Sequence, residues 1–322
     1  MSIIRTENLS KSFGSIVAVD NLNLEISEGE VFGLLGPNGA GKTTTIHMLA
    51  TLLNPSSGRA FVNGFDVVKQ QGDVRRSIGI VFQEPSSDDI LTGYENLKLH
   101  AMMYGVPKES VEKRIFEALE LVDLNDRRNH LVRTYSGGMR RRLELARGLI
   151  HRPKVLFLDE PTLGLDPQSR EHIWSYITKM VKDEGVTIIL TTHYMEEADM
   201  LCNRVGIIDL GKIVVIDSPT NLKKMLGGDI IRLKMINPNI EAVRKLSYVK
   251  NIEFNDNLLT LMVEDAGIHL PRLLEIVGQV ESVEMRSPTL NDVFLRYTGK
   301  EIRTASPEGG FMERVAAVRS GR

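Results

Sequence analysis

At 322 residues, with 42% hydrophobic and 25% charged residues, the sequence is that of an ordinary globular protein long enough for two domains. Its formal net charge of −2 withholds the basic excess that a nucleic-acid surface needs. Cys202 is the only cysteine, which excludes an intrachain disulfide and a cysteine metal cluster and points to a reducing, cytoplasmic setting. The opening MSIIRTENLSKSF lacks a basic region followed by a long apolar run, so no secretory leader is expected. The longest apolar stretches, such as Val155–Leu158 and Val186–Leu190, are strand-sized, far short of the roughly 20 residues that span a bilayer. If the protein works at a membrane, another chain supplies the spanning part.

Residues 1–32 alternate apolar and polar positions, with turns at Phe13-Gly14-Ser15 and Glu28-Gly29-Glu30, which predicts strands of an antiparallel sheet. Val31–Leu35 is a short apolar run that feeds a Gly-rich loop and then a helix over Thr43–Leu53, ended by Asn54-Pro55. Leu91–Leu124 reads as mostly helical, with Val111, Ile115, Ala118, Leu119 and Val122 on one face. Tyr135–Ile150 opens on Ser-Gly-Gly and continues with Met139, Leu143, Ala146 and Ile150 at helical spacing. Val155–Leu158, Thr187–Thr191 and Arg204–Asp209 are β-rich, separated by helices, as buried strands of a parallel sheet are.

After Gly227-Gly228 the texture changes. Strand Ile230–Met235, helix Ile240–Leu246, strand Val249–Phe254, strand Leu258–Val263, helix Leu270–Val280 and strand Ser282–Arg286 follow one another. That β-α-β-β-α-β order predicts a small ferredoxin-like α+β domain. A short helix, Leu290–Tyr297, follows with Ser287-Pro288-Thr289 as its cap. Residues 301–322 hold few apolar side chains and read as a mobile tail. The expected domains are therefore 1–227, with helices concentrated over 85–153, then 228–300, then the tail.

Gly36-Pro37-Asn38-Gly39-Ala40-Gly41-Lys42-Thr43 fits G-x-x-x-x-G-K-[ST] between a strand and a helix. Backbone N–H groups of such a loop wrap phosphates, Lys42 reaches the β- and γ-phosphates, and the Thr43 hydroxyl coordinates Mg²⁺. Lys154–Leu158 is an apolar run ending in Asp159 and Glu160, which suit a Mg²⁺ ligand and a group that polarises the attacking water. Gln83 ends another short apolar run, and His193 follows Thr187–Thr192. Both sit at the carboxyl end of a strand, where open α/β sheets bind ligands. Taken singly, one is a surface amide and the other a structural histidine. The Ser136-Gly137-Gly138 helix start offers a second anion site, although the chain already has a stronger one. Arg140, Arg141, Arg142 and Arg147 read as a solvated face or as partners of nearby carboxylates.

Taken in order, the phosphate loop, Gln83, Ser136-Gly137-Gly138, Leu158-Asp159-Glu160, Leu163-Gly164-Leu165-Asp166 and His193 resemble the ATP-binding subunit of an ABC transporter. The ending Ser287–Gly299 resembles the C-terminal domain of the daunorubicin-resistance type. The resemblance implies an α/β P-loop NTPase with a RecA-like core, an antiparallel β subdomain and a helical subdomain, followed by the small α+β domain. It implies ATP and Mg²⁺ as ligands and a head-to-tail dimer, of two copies or of one copy and a paralogue. Each ATP then lies between one phosphate loop and the partner's Ser-Gly-Gly, so the second anion site serves the partner's nucleotide.

Carried over by residue, Phe13 would stack on adenine; Gly36, Pro37, Asn38, Gly39, Ala40, Gly41, Lys42, Thr43 and Thr44 would hold phosphates. Thr43, Gln83 and Asp159 would serve Mg²⁺. Glu160 would act as catalytic base, with Gln83 and His193 contacting the attacking water and the γ-phosphate. Ser136, Gly137 and Gly138 would bind the partner's γ-phosphate, and Asp166 would connect the two sites. Glu84–Asn96 would face separately encoded membrane subunits, placing the protein peripherally on the cytoplasmic face of the membrane. The implied function is ATP hydrolysis driving export of drug-like or other hydrophobic compounds. The alternatives are export of ions, lipid or polysaccharide, or a soluble ABC ATPase acting on DNA or ribosomes; no nucleic-acid partner is expected. A P-loop GTPase is disfavoured because no Asn-Lys-x-Asp occurs. Two departures stand out: Met139 replaces the usual signature Gln, and Phe13 replaces the common Tyr. The C-terminal domain reads as a brace or as core completion rather than as a ligand sensor.

Overall fold

In the computed structural model, which describes residues 2–299, the alternating start of the chain forms two long antiparallel strands, β1 (Ser2–Phe13) and β2 (Ile16–Ser27). In β2, Leu22, Leu24 and Ile26 are buried while their neighbours face solvent, the pattern of a sheet covered on one side. β3 (Val31–Leu35) is buried along its whole length and leads into the Gly-rich loop and α1 (Lys42–Leu49). The helix ends before the expected Leu53. Thr51 turns to φ 63°, and the N–H groups of Leu52 and Leu53 fold back onto the His47 carbonyl. β4 (Ser57–Val62) and β5 (Phe65–Asp66) complete a four-stranded antiparallel sheet of order β2-β1-β4-β5.

α2 (Gln71–Ser77) and β6 (Ile78–Val81) follow. The expected helical stretch is two helices, α3 (Gly93–Met103) and α4 (Lys108–Leu121), because Gly105 and Pro107 interrupt it. Thr92 and Glu95 start α3 with a reciprocal capping box. α5 (Gly137–Leu149) starts at the Ser-Gly-Gly segment, and β7 (Val155–Asp159) then runs into the core. α6 (Pro167–Glu184), β8 (Thr187–Thr192), α7 (Met195–Leu201), β9 (Arg204–Asp209) and β10 (Lys212–Asp217) finish the larger sheet.

That sheet has the order β10-β9-β3-β8-β7-β6, with β9, β3, β8, β7 and β6 mutually parallel. The pairing aligns Leu35 with Thr192 and Asp159 with Thr191. The carboxyl ends of β3, β7 and β8 therefore lie side by side, which is where ligands bind in such sheets. Phe32, Phe157, Ile46, Met48 and Ile189 pack beneath this edge in one core with Ile4, Leu22 and Val62 of the antiparallel sheet. Each fully buried side chain of that size contributes roughly 1.5–3 kcal/mol relative to exposure, so the base of the site is stiff.

One compact unit ends at Ile216 and a second starts at Asp217, ahead of the expected boundary at 227/228. The reason is α8 (Pro219–Lys224), which packs with the last helix of the second unit. Along the second unit come β11 (Asp229–Lys234), α9 (Ile240–Arg244), β12 (Val249–Asn255), β13 (Leu258–Val263), α10 (Ala266–Val277), β14 (Ser282–Arg286) and α11 (Leu290–Thr298). The sheet order β12-β13-β11-β14, antiparallel throughout, is the ferredoxin-like arrangement expected from the β-α-β-β-α-β sequence. Ile231, Leu233, Leu259, Leu261, Leu273 and Val277 form its own core. The expected tail, 301–322, lies outside the described residues. Among the described residues, no helix is long and apolar enough to cross a membrane.

Candidate functional site

The phosphate loop joins β3 to α1, and its turn depends on Gly41, the N-cap, at φ 106°. A Cβ there would collide with the Ala18 carbonyl oxygen, so only glycine lets the backbone pass. Asn38 and Gly39 are exposed, whereas Gly36, Ala40, Lys42 and Thr44 are buried. The Lys42 ammonium curls into the loop, donating to the carbonyls of Gly36 at 2.8 Å and Pro37 at 3.2 Å, and lies 4.0 Å from Glu160 Oε1. Burial pulls the Lys42 pKa down, and the charges of Glu160 and Asp159 only partly restore it.

β7 and β8 deliver the carboxylates and the histidine. Thr43 Oγ1 donates to Asp159 Oδ1 at 3.2 Å, and Thr191 Oγ1 donates to the same oxygen. Glu160 has φ 48°, a conformation uncommon outside glycine, held by its N–H donating to the carbonyl and the hydroxyl of Thr191. That turn sends its carboxylate back toward the phosphate loop. His193 Nδ1 lies 3.3 Å from Glu160 Oε2, and no other residue hydrogen-bonds to that nitrogen. Burial pushes the Glu160 carboxyl up, but His193, Lys42 and Arg141 together pull it below the usual carboxylate range. Glu160 is therefore charged at neutral pH.

The donor set fits a triphosphate with Mg²⁺. Among the described residues there is no cluster of three His, Cys, Asp or Glu that could cage a metal ion alone. A hydroxyl and a carboxylate held together by Thr43 and Asp159 suit Mg²⁺, which takes one or two protein oxygens and completes its shell with phosphates and water. Gln83 is exposed and directly follows Phe82 beyond the end of β6. Phe13 is half-buried at the end of β1, with Lys11 Nζ 5.2 Å from its ring centroid.

The remaining expected residues form a separate group whose hydrogen bonds are local. Ser136 caps α5 by accepting from the Met139 N–H at 3.3 Å. Asp166 caps α6, accepting from the N–H and hydroxyl of Ser169. A Cβ on Gly138 would meet Ser169 Oγ at 2.9 Å, so the starts of α5 and α6 touch.

Three buried charges, Arg141, Glu144 and Glu197, escaped the sequence reading. Arg141 is neither solvated nor paired with a carboxylate: its guanidinium donates to the carbonyls of Phe82, Gln83, Asp159, Glu160 and Pro161. The signal was its position four and seven residues before the buried Leu145 and Gly148, on one helical face. Of its neighbours, Arg140 pairs with Asp89 and Arg147 with Glu144, as expected, while Arg142 donates to the Val122 carbonyl. Glu197 is fully buried and accepts from Thr162 Oγ1 at 2.9 Å and Trp174 Nε1 at 3.1 Å. It ties the loop after Glu160 to the helix after His193.

Comparison with known proteins follows the same division of the chain. Residues 19–163 match the model of the ABC transporter family, and residues 218–298 match that of the ATP-binding protein DrrA1-3-like C-terminal domain. The chain is 37% identical over 318 residues to the linearmycin resistance ATP-binding protein LnrL of Bacillus subtilis (strain 168), covering 94% of this chain and all of that protein. It is 38% identical over 306 residues to the Nod factor export ATP-binding protein I of Cupriavidus metallidurans, covering 94% and 99% respectively. An ATP-binding cassette solved as a dimer in a post-hydrolysis state with ADP and Pi aligns with TM-score 0.61 and 28% identity, over 67% of this chain and 98% of that one. The fold is thus a RecA-like P-loop core with antiparallel β and helical subdomains and a small C-terminal domain.

Proposed function

This chain belongs to the ATP-binding proteins of ABC transporters, and from that premise we propose that it hydrolyses ATP as a head-to-tail dimer to drive export through a separately encoded permease. The observation that carries the reading is the convergence of Lys42, Thr43, Asp159, Glu160 and His193 at one sheet edge, while Ser136-Gly137-Gly138 opens a second helix start with local bonds only. A complete phosphate site and an unused anion site in one chain are complementary halves.

Lys42 exchanges its loop carbonyls for β- and γ-phosphate oxygens, a stronger charge-assisted pairing. Thr43 and Asp159, with Gln83, would hold Mg²⁺, which when bound would neutralise charge building on the phosphate oxygens. Glu160, kept ionised, accepts a hydrogen bond from the attacking water, aims the water's lone pair at the γ-phosphorus and takes the water's proton as the new P–O bond forms and the bond to the β-phosphate oxygen of the departing ADP breaks. His193 approaches the same phosphate from the end of β8. Phe13 offers its ring to the adenine. Ser136, Gly137 and Gly138 close on the partner's γ-phosphate with free N–H groups. Two ATP molecules add these contacts only in the closed dimer, so binding shifts the population to closed and hydrolysis releases it.

The second unit matches a DrrA-like model, and LnrL is named for linearmycin resistance, which supports a drug-like or other hydrophobic cargo. Another relative is named for Nod factor export rather than for resistance, which keeps a second reading beside the first, in which the cargo is an ion, lipid or polysaccharide. The permease would hold the protein peripherally at the cytoplasmic membrane face. Glu160→Gln tests the reading: it is expected to bind ATP and accumulate as a dimer in sedimentation while turnover falls by roughly 10²-fold or more. Turnover at the unmutated rate would overturn it.

A further inference from the structure

Arg141 lies on α5 one turn beyond Gly137, with its side chain buried. Its Nε donates to the Pro161 carbonyl at 2.6 Å, and its Nη2 donates to those of Asp159 at 3.1 Å and Glu160 at 2.9 Å. Nη1 donates to the carbonyls of Phe82 and, at 3.4 Å, Gln83. One guanidinium thus grips the main chain on both sides of the nucleotide site, where Gln83 leaves β6 and where Glu160 leaves β7. One turn further along the helix, the buried Glu144 accepts from Ser86 Oγ at 2.9 Å and the Ser87 N–H at 2.8 Å. The loop from Gln83 to Ser87 is fastened to α5 at both ends, by opposite charges.

We propose that Arg141 is a positioning residue that couples the two ATP sites of the dimer. It carries displacement of the Ser136-Gly137-Gly138 helix start to the main chain that aims Gln83 and Glu160. The inference rests on the head-to-tail reading, in which that helix start contacts the partner's nucleotide. A turn of α-helix is stiff because each residue is hydrogen-bonded to the next turn. Movement at Ser136 therefore reaches Arg141 with little loss. A planar fork with five donors can hold carbonyls from two strand ends at once; an ammonium is a point charge and cannot. An arginine serving packing alone would not require this geometry, since an apolar side chain of similar volume fills such a space without the cost of burying a charge.

The test uses the full-length protein with Mg²⁺·ATP. Arg141→Lys is expected to keep its nucleotide Kd within about twofold and to form the ATP-dependent dimer in the Glu160→Gln background. Its kcat is expected to fall roughly tenfold to 10²-fold, the scale of a misplaced catalytic group. Its Hill coefficient for ATP is expected to drop from about 2 to about 1, two being the number of coupled sites. Unchanged kcat and cooperativity overturn the proposal. So does a fall in affinity and melting temperature that leaves the Hill coefficient intact, which marks a structural role. Should Arg141→Lys fail to fold, Glu144→Gln loosens the other end of the same loop: reduced cooperativity supports the coupling and unchanged cooperativity overturns it. Absence of an ATP-dependent dimer in Glu160→Gln alone refutes the head-to-tail reading and the coupling with it. That result is distinct from a normal dimer whose Arg141 variant keeps full cooperativity, which refutes the coupling only.

Discussion

Thr43 Oγ1 and Asp159 Oδ1, 116 residues apart in the chain, lie 3.2 Å from each other. The contact depends on β3 and β7 ending at one sheet edge, with the first turn of α1 placed over that edge. Thr191 donates to the same carboxylate oxygen, so Asp159 is oriented before any ion arrives. Asp159→Asn keeps the shape and removes the charge. ATP affinity without Mg²⁺ is expected to stay within a few-fold, because Lys42 and the loop N–H groups are untouched. Turnover at saturating Mg²⁺ is expected to fall by roughly 10²-fold, the scale of one pre-organised electrostatic contact. Nucleotide binding in EDTA and a Mg²⁺ titration of turnover check the two halves separately.

Lys42 makes a prediction about stability as well as binding. Its folded pKa is depressed by burial, so the charged ammonium opposes folding of the nucleotide-free protein. The destabilisation is full below the folded pKa and is relieved as pH rises through that value toward the unfolded 10.5. Lys42→Met is therefore expected to hold or raise resistance of the free protein to urea at pH 7, with the gain shrinking at alkaline pH. Its affinity for ATP is expected to fall at least tenfold, about 1.4 kcal/mol, for loss of a charge-assisted contact. Urea melts with and without nucleotide distinguish the two effects.

At the signature, Met139 contributes its main-chain N–H to the Ser136 cap, and its half-buried side chain brings no polar group to the helix start. Met139→Gln adds an amide there without changing the cap. The ATP concentration needed to dimerise the Glu160→Gln protein is expected to fall about fivefold, equivalent to one added hydrogen bond of about 1 kcal/mol. Sedimentation across an ATP titration reads this directly, and an unchanged midpoint would show that position 139 does not face the partner's nucleotide.

Much of this was legible because it is written in local patterns. The phosphate loop carries its own spacing, and its glycine at 41 follows from the backbone it must adopt. Ferredoxin-like order could be read because its strands and helices alternate with clear turn residues. The grip of Arg141 could not, since four arginines within eight residues look alike by composition, and only the helical phase separates the buried one from its neighbours. Nor could the boundary at Asp217, because α8 precedes the Gly227-Gly228 break in sequence yet packs with α11, far downstream. Long-range packing decides such cases, and a sequence states it only indirectly.

In the second unit, Asp292 carries the start of α11. Its carboxylate accepts from the Thr289 N–H at 2.8 Å and hydroxyl at 2.7 Å, and it pairs with the Arg286 guanidinium at 2.7 and 2.8 Å. Burial would push this carboxyl up, but Arg286 and the Thr289 bonds prevail and hold it at about 2, below the ordinary 3.8. A depressed carboxyl stabilises the fold fully above its unfolded pKa, and the contribution is lost as pH falls from about 3.8 through about 2. Both partners of the ion pair are partly open to solvent, which screens it, so the cap sets the scale, about 1 kcal/mol. Asp292→Asn is expected to lower stability by about that much at pH 7. The difference from the unmutated protein is expected to persist to about pH 4 and to close below it. Urea unfolding followed at pH 7, 4 and 3 checks the sign: a gap that widened on acidification would exclude a depressed Asp292 as its source.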